Sequence, residues 1–282
     1  MNANRRWAWV VALGLLVTAI AAYPRGTAAQ EGSAPKAEPS VDEIVQKANQ
    51  VAYYQGGTGR ARVKMTRYDG EGKATAEREL IMLRRNVEGG LDQKFYAYFL
   101  RPVDVRGTVF LVWKHNETDD DRWLYNQGLD LVNRIAATDK RTSFVGTHFF
   151  YEDVSGRSIT DDEHELVNVT KNYYVLKNTP KDKDVVEFSY YEMYIHRGTF
   201  MPLHAYYYDK GGEKYREYHV LKMDQVGGNW TVLEAEMQDL REKGKQAART
   251  KAEYSDVLYG IDLPDDIFTE RYLRRAPRDY LE

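Results

Sequence analysis

The sequence predicts a mainly β protein: one antiparallel sheet of about 11-12 strands, curled into a barrel or a strongly bent half-barrel. Three observations lead there. The 22 Tyr, 9 Phe and 5 Trp favour pleated surfaces over helices. From residue 60 the apolar period becomes two, with Ala61, Val63 and Met65 alternating with Arg62, Lys64 and Thr66. The strand-like runs are joined by short turns with no helical pattern between most of them, which is the signature of an antiparallel meander. So many strands do not stay in a flat open sheet.

The elements follow in order. Ser40 with Glu43 three residues on fits a capping box. Val41, Ile44, Val45, Ala48, Val51 and Ala52 then recur at helical spacing, and Gly56, Gly57 and Gly59 end the helix. Strands are expected from residue 60, over 74–85, 94–100, 108–115, 122–126 and 131–136. A second set covers 165–170, 173–178, 185–196, 201–208, 214–224, 230–240 and 248–258. The pairs Gly211-Gly212, Gly227-Gly228 and Lys243-Gly244 read as hairpin turns. Pro264 opens a short C-terminal helix through Ile267, Phe268 and Leu273.

Ahead of the helix, residues 1–29 read as a cleaved secretory signal peptide and 30–39 as a linker, leaving 40–282 as a single domain. Arg5 and Arg6 precede an uncharged run from Trp7 to Ala22, and Thr27-Ala28-Ala29 offers small residues for cleavage. The run is short of the roughly 20 apolar residues that span a bilayer. Zero cysteines exclude disulfides, thiolate metal sites, cysteine nucleophiles and an N-terminal lipid anchor. An exported chain of this size without disulfides points to the periplasm. The net charge of -3 gives no basic surplus for nucleic acid.

The second half has no clean wet face. Along 185–196 one face reads Val185, Glu187, Ser189, Tyr191, Met193, Ile195, and the other Val186, Phe188, Tyr190, Glu192, Tyr194, His196. Both are mixed, whereas a half-solvated sheet alternates cleanly. Either helices cover one side and tyrosines the other, or a concave face encloses an apolar cavity. Residues 138–156 interrupt the sheet and place Phe144, Val145, Phe149, Phe150 and Tyr151 around Gly146. A long irregular stretch of this kind is either a plug of core or a movable apolar flap.

Motifs for chemistry are missing. No Gly-rich phosphate loop and no G-x-S-x-G elbow occurs. His148, Glu152 and Asp153 lie close in sequence but lack the spacing of a helical zinc site. No catalytic residue, metal or cofactor is expected.

One ordered set of motifs carries a resemblance. Arg106-Gly107-Thr108-Val109-Phe110-Leu111 is followed by Asp121-Arg122-Trp123-Leu124-Tyr125 and Asn133-Arg134-Ile135. Next come Arg141-Thr142-Ser143-Phe144-Val145-Gly146-Thr147-His148-Phe149 and Tyr151-Glu152-Asp153, and later Gly260-Ile261-Asp262-Leu263-Pro264. This series resembles the periplasmic outer-membrane lipoprotein-sorting proteins (LolA/LolB-like), in the subgroup that accompanies RND/MMPL-type exporters. The chain departs from that pattern at Thr147-His148, where many relatives have Ser-Asp, and at Gln127-Gly128, where relatives often have Pro.

The resemblance implies a single incomplete antiparallel β-barrel. Its covers would be the N-terminal helix, the mid-chain loop or helix and the short C-terminal helix. It implies a monomeric, non-enzymatic carrier whose partners are lipid or lipoprotein acyl chains, with an inner-membrane RND/MMPL-type transporter as a further partner. Phe110, Leu111, Trp113, Trp123, Phe144 and Phe149, with Met193 and Met201, are the expected lining or gating residues. The alternatives are an exporter-associated binding module without lipid cargo, and a hydrolase or metalloenzyme using His148 with Glu152 or Asp153.

Overall fold

The computed structural model describes residues 38–282. The expected signal peptide and all but the end of the expected linker lie outside the described residues. Helix α1 (Val41–Asn49) begins at the predicted cap, where the Ser40 hydroxyl accepts from the Glu43 N–H and the Glu43 carboxylate accepts from the Ser40 N–H. It runs on as one π-helical turn, Gln50–Tyr54, before Gly56 and Gly57 stop it with φ of 73° and 68°. Ile44, Val45 and Ala48 form its buried face.

Thirteen antiparallel strands follow, one for each of the thirteen expected segments and so one or two more than the expected barrel count of 11-12. They are β1 (Thr58–Tyr68), β2 (Ala74–Asn86), β3 (Gln93–Arg101), β4 (Val109–Lys114), β5 (Asp121–Asn126) and β6 (Leu131–Arg134). After the mid-chain stretch come β7 (Asp162–Val169), β8 (Tyr173–Pro180), β9 (Phe188–His196) and β10 (Pro202–Asp209). The last three are β11 (Lys214–Val226), β12 (Asn229–Lys243) and β13 (Ala247–Tyr259).

The spatial order is β6-β5-β4-β3-β2-β1-β13-β12-β11-β10-β9-β8-β7. Two six- or seven-strand meanders therefore join where β1 pairs with β13, with Val63 opposite Tyr254. The free edges are β6 and β7, so the barrel is incomplete. Residues Pro39 to Glu282 form one compact unit.

The two faces of the sheet carry different cores. On the inner face Val63, Met65, Leu80, Phe95, Phe99, Phe110 and Val112 pack against Phe144, Phe149 and Tyr151 of the mid-chain stretch. Nearer β8 and β9, α1 covers Tyr174, Leu176 and Ile195. On the outer face Ile81, Leu83, Tyr96, Val109, Leu111, Trp123 and Tyr125 pack against Leu263, Ile267, Phe268, Leu273 and Leu281.

The C-terminal cover is not a single helix. It consists of a 3-10 turn (Asp265–Phe268), one turn of α-helix α3 (Arg271–Arg274) and another 3-10 turn (Arg278–Tyr280). A continuous helix would not follow the sheet surface that these apolar residues have to meet. Among the described residues no helix is long and apolar enough to cross a membrane.

Candidate functional site

The inner face encloses a cavity of about 360 Å3, within the range of ligand pockets. Its walls come from both meanders: Val63 and Leu80 with Phe95 on one side, Met193, Ile195 and Ala205 on the other. Val45, Ala48 and Ala52 of the N-terminal helix close one side, and Phe144 and Phe149 another. This lining is what a sheet with period-two alternation provides when its inner face is apolar and its covers do not fill the bend.

The mid-chain stretch is built around its charges. Residues 137–156 contain a 3-10 turn (Ala137–Asp139), a lone bridge between Ser143 and Phe150, and helix α2 (Tyr151–Ser155). Glu152 is 2% exposed and is met by Lys140 Nζ at 3.2 Å, Arg141 Nη1 at 3.1 Å and Arg157 Nη1 at 3.1 Å. Burial works to raise its carboxyl pKa, but Arg141, Arg157 and Lys140 prevail and hold it at about 2.

The network continues into the sheet. Arg157 grips Asp162 through Nε and Nη2, and the Tyr191 hydroxyl donates to the same carboxylate at 2.9 Å. Arg141 donates twice to Glu187, which also accepts from Tyr215 Oη at 2.6 Å. Arg216 pairs with Asp153 and donates to the His148 carbonyl at 2.9 Å. The Arg141 guanidinium also lies against the rings of Phe150, Phe188 and Tyr207 at 4.9 to 5.3 Å.

Gly156 closes the stretch with φ of 76°; a Cβ there would lie 2.4 Å from the Tyr53 ring, so the backbone can approach the N-terminal segment only without a side chain. Lys114, buried beneath this corner, donates to the Ser155 and Gly156 carbonyls at 2.8 and 3.0 Å. Desolvation lowers its pKa to about 8.

Four of the eight expected lining residues meet at the cavity: Phe144, Phe149, Met193 and Met201. Phe110 lies on the inner face behind them, its ring 5.4 Å from that of Phe144. Leu111, Trp113 and Trp123 lie on the opposite face and do not line the cavity. Trp113 Nε1 donates to the Phe268 carbonyl at 2.6 Å, and its ring meets Trp123 edge-on at 5.1 Å. The reason is the strand period: neighbours Phe110 and Leu111 must point to opposite faces.

His148 does not join Glu152 or Asp153 through its side chain. Its Nδ1 is 2.9 Å from Thr250 Oγ1 and its Nε2 is 3.5 Å from Glu242. Burial and Arg67 lower its pKa. No cluster of three or more metal-ligating side chains occurs among the described residues. The pairing foreseen for a hydrolase or metalloenzyme is therefore not formed, because Arg141, Arg157 and Arg216 already occupy both carboxylates.

Sequence reading missed the polar end of the cavity. There Arg84, Gln55, Thr231 and Tyr259 line the wall beside Trp230. Arg84 stands in a run that otherwise reads as an apolar strand, Leu80 to Leu83, and only the register of β2 shows which way it faces.

The chain is thus an open-seamed antiparallel half-barrel around an apolar cavity. A family model described as an uncharacterized protein matches residues 91–275, and the chain belongs to that family. It is similar to a DUF1329 family protein from Desulfovibrio piger, with 26% identity and a TM-score of 0.74 over 84% of this chain and 100% of that one. It is also similar to an outer-membrane lipoprotein-sorting protein domain from Vibrio parahaemolyticus. That match has 23% identity and a TM-score of 0.73 over 84% of this chain and 100% of the other. A LolA superfamily protein from Nitrosomonas europaea shares the fold at 19% identity and a TM-score of 0.64, over 83% of this chain and 100% of that one. These three solved structures share the fold of this chain. No curated protein matches the sequence.

Proposed function

We propose that this chain is a periplasmic carrier that shelters the acyl chains of a lipid or lipoprotein in its inner cavity. The observation that supports the reading is the apolar space of about 360 Å3 between the sheet and its inner covers. The shared fold of lipoprotein-sorting proteins supports it further. The chain is exported with cleavage of residues 1–29, acts as a monomer and performs no catalysis. Its delivery partner is an inner-membrane RND/MMPL-type transporter.

The energetics define the task. Exposing acyl chain to water costs about 0.8 kcal/mol per CH₂, so one chain of about 14 carbons costs roughly 11 kcal/mol. The cavity has to return most of this, and no more, for cargo to be both taken up and released.

Native mass spectrometry of protein purified without detergent tests the reading, together with uptake of a fluorescent fatty acid. A lipid adduct and saturable uptake are expected. Met193→Trp, which fills the cavity from a half-buried wall position, should reduce uptake while leaving the melting temperature within a few degrees. A clean apo mass with no uptake would overturn the carrier role and leave the exporter-associated module without cargo.

A further inference from the structure

Four arginines border the cavity: Arg60, Arg84, Arg141 and Arg157. Three are held by two or more partners. Arg141 and Arg157 hold buried carboxylates, and Arg60 donates to the main-chain oxygens of Tyr280 and Glu282. Arg84 differs. Its one hydrogen bond goes to the Gln55 main-chain carbonyl, and among the described residues no carboxylate lies within ion-pair distance of it. A guanidinium carries five N–H donors, so most of its capacity is unused. Burial lowers its pKa, with Tyr259 and Tyr54 acting in the opposite direction.

The surroundings form a notch. Across three adjacent strands Arg84, Gly59 and Tyr259 sit directly opposite one another and share a face. Gly59 leaves the space between them open: a Cβ there would sit 3.7 Å from both Arg84 Nη2 and the Tyr259 ring. The Tyr259 hydroxyl is 2.9 Å from Thr231 Oγ1, so two hydroxyls stand across the notch from the cation. Beyond Arg84 the same row continues to Phe95, which is apolar cavity wall. Gln55, Arg84, Trp230 and Tyr259, which line this end of the cavity, are all only half-buried, so the notch is where the apolar space meets solvent.

Resting on the carrier reading, the geometry points to an anionic amphiphile as cargo, its oxyanion head (carboxylate or phosphate) bound by Arg84 above Gly59 and its tail running past Phe95 into the cavity. A charge without a protein counter-ion in a partly desolvated site is costly, and an oxyanion head offsets that cost with charge-assisted hydrogen bonds. A neutral head of equal tail length leaves the guanidinium as it was.

The test compares dodecanoate, dodecyl phosphate and dodecanol, each displacing the uncharged dye Nile red from the purified protein, with inorganic phosphate as the tailless anion. Both anionic amphiphiles should bind at least about tenfold tighter than dodecanol. Arg84→Met should remove that preference, with an unchanged melting temperature showing that the variant is folded. Arg84→Lys should keep part of the preference. Equal binding of all three by the unaltered protein overturns the inference but leaves the carrier intact. So does a preference that survives Arg84→Met, or displacement of dodecanoate by inorganic phosphate at matched concentration. If none of the three amphiphiles binds, inference and carrier reading fall together.

Discussion

The two stretches that cover the sheet, residues 137–156 inside and 261–282 outside, are held by opposite means. The outer cover is fastened by apolar burial: Leu263, Ile267, Phe268, Leu273 and Leu281 sit on Ile81, Leu83 and Leu111. Its ion pairs, Lys94 with Asp265 and Arg274 with Asp130, are largely at the surface. The inner cover buries fewer apolar side chains and adds a network of buried charges around Glu152, Asp153 and Arg141. Apolar contact is tolerant of sliding and supplies stability; paired buried charges are intolerant of misplacement and set one position. The cover that borders the cavity is the one whose position is specified.

The largest expected effect is that of Glu152→Ala. It leaves Lys140, Arg141 and Arg157 short of their common carboxylate and should cost about 3–5 kcal/mol in urea unfolding. Leu273→Ala, which opens a cavity under the outer cover, should cost about 3 kcal/mol by the same measurement and leave lipid uptake unchanged. If it abolishes uptake, the two covers are not separate.

The third expectation uses pH. The folded Glu152 carboxyl sits at about 2, below its ordinary value of 4.5. Its stabilisation is therefore complete above about pH 4.5 and is lost as pH falls toward 2. The stability gap between the unaltered protein and Glu152→Gln should shrink by about 3 kcal/mol over that window. No such window is expected for Leu273→Ala. The smallest effect is that of Arg274→Ala, whose half-exposed pair with Asp130 should contribute under about 1 kcal/mol.

Much of the fold was legible because a pleated strand writes its burial at period two. Each run of alternating residues from 60 onward became a strand, and the Ser40–Glu43 box marked the start of α1. What alternation does not reveal is which face is inside. Phe110 and Leu111 were both expected at the cavity, though adjacent strand residues cannot share a face. Trp113 and Trp123 looked like lining because both are large and aromatic; they are the seat of the C-terminal cover.

The mid-chain motif was legible as unusual, but its aromatic residues drew the attention. Its charges proved to be its fasteners, since Glu187, which pairs with Arg141, and Arg216, which pairs with Asp153, lie far along the chain and no local pattern links them. Phe144 is 1% exposed among Phe99, Phe110 and Tyr151, as a plug of core would be, and it also borders the cavity. Arg84 was invisible because its significance lies in the carboxylate it lacks.

The unclosed seam has a mechanical consequence. The two meanders are welded by the β1–β13 ladder on one side, while β6 and β7 share no ladder on the other. Residues 135–161 bridge that gap, as does the N-terminal helix, which packs on Tyr174 and Ile195 and is hydrogen-bonded to Leu91 and Gln93 through Tyr54 and Tyr53. Spreading the meanders apart therefore breaks no strand-to-strand hydrogen bond. The molecule is built like a clasp joined along β1 and β13 and fastened across its open side by the buried ion pairs of the bridging segment and by the N-terminal helix.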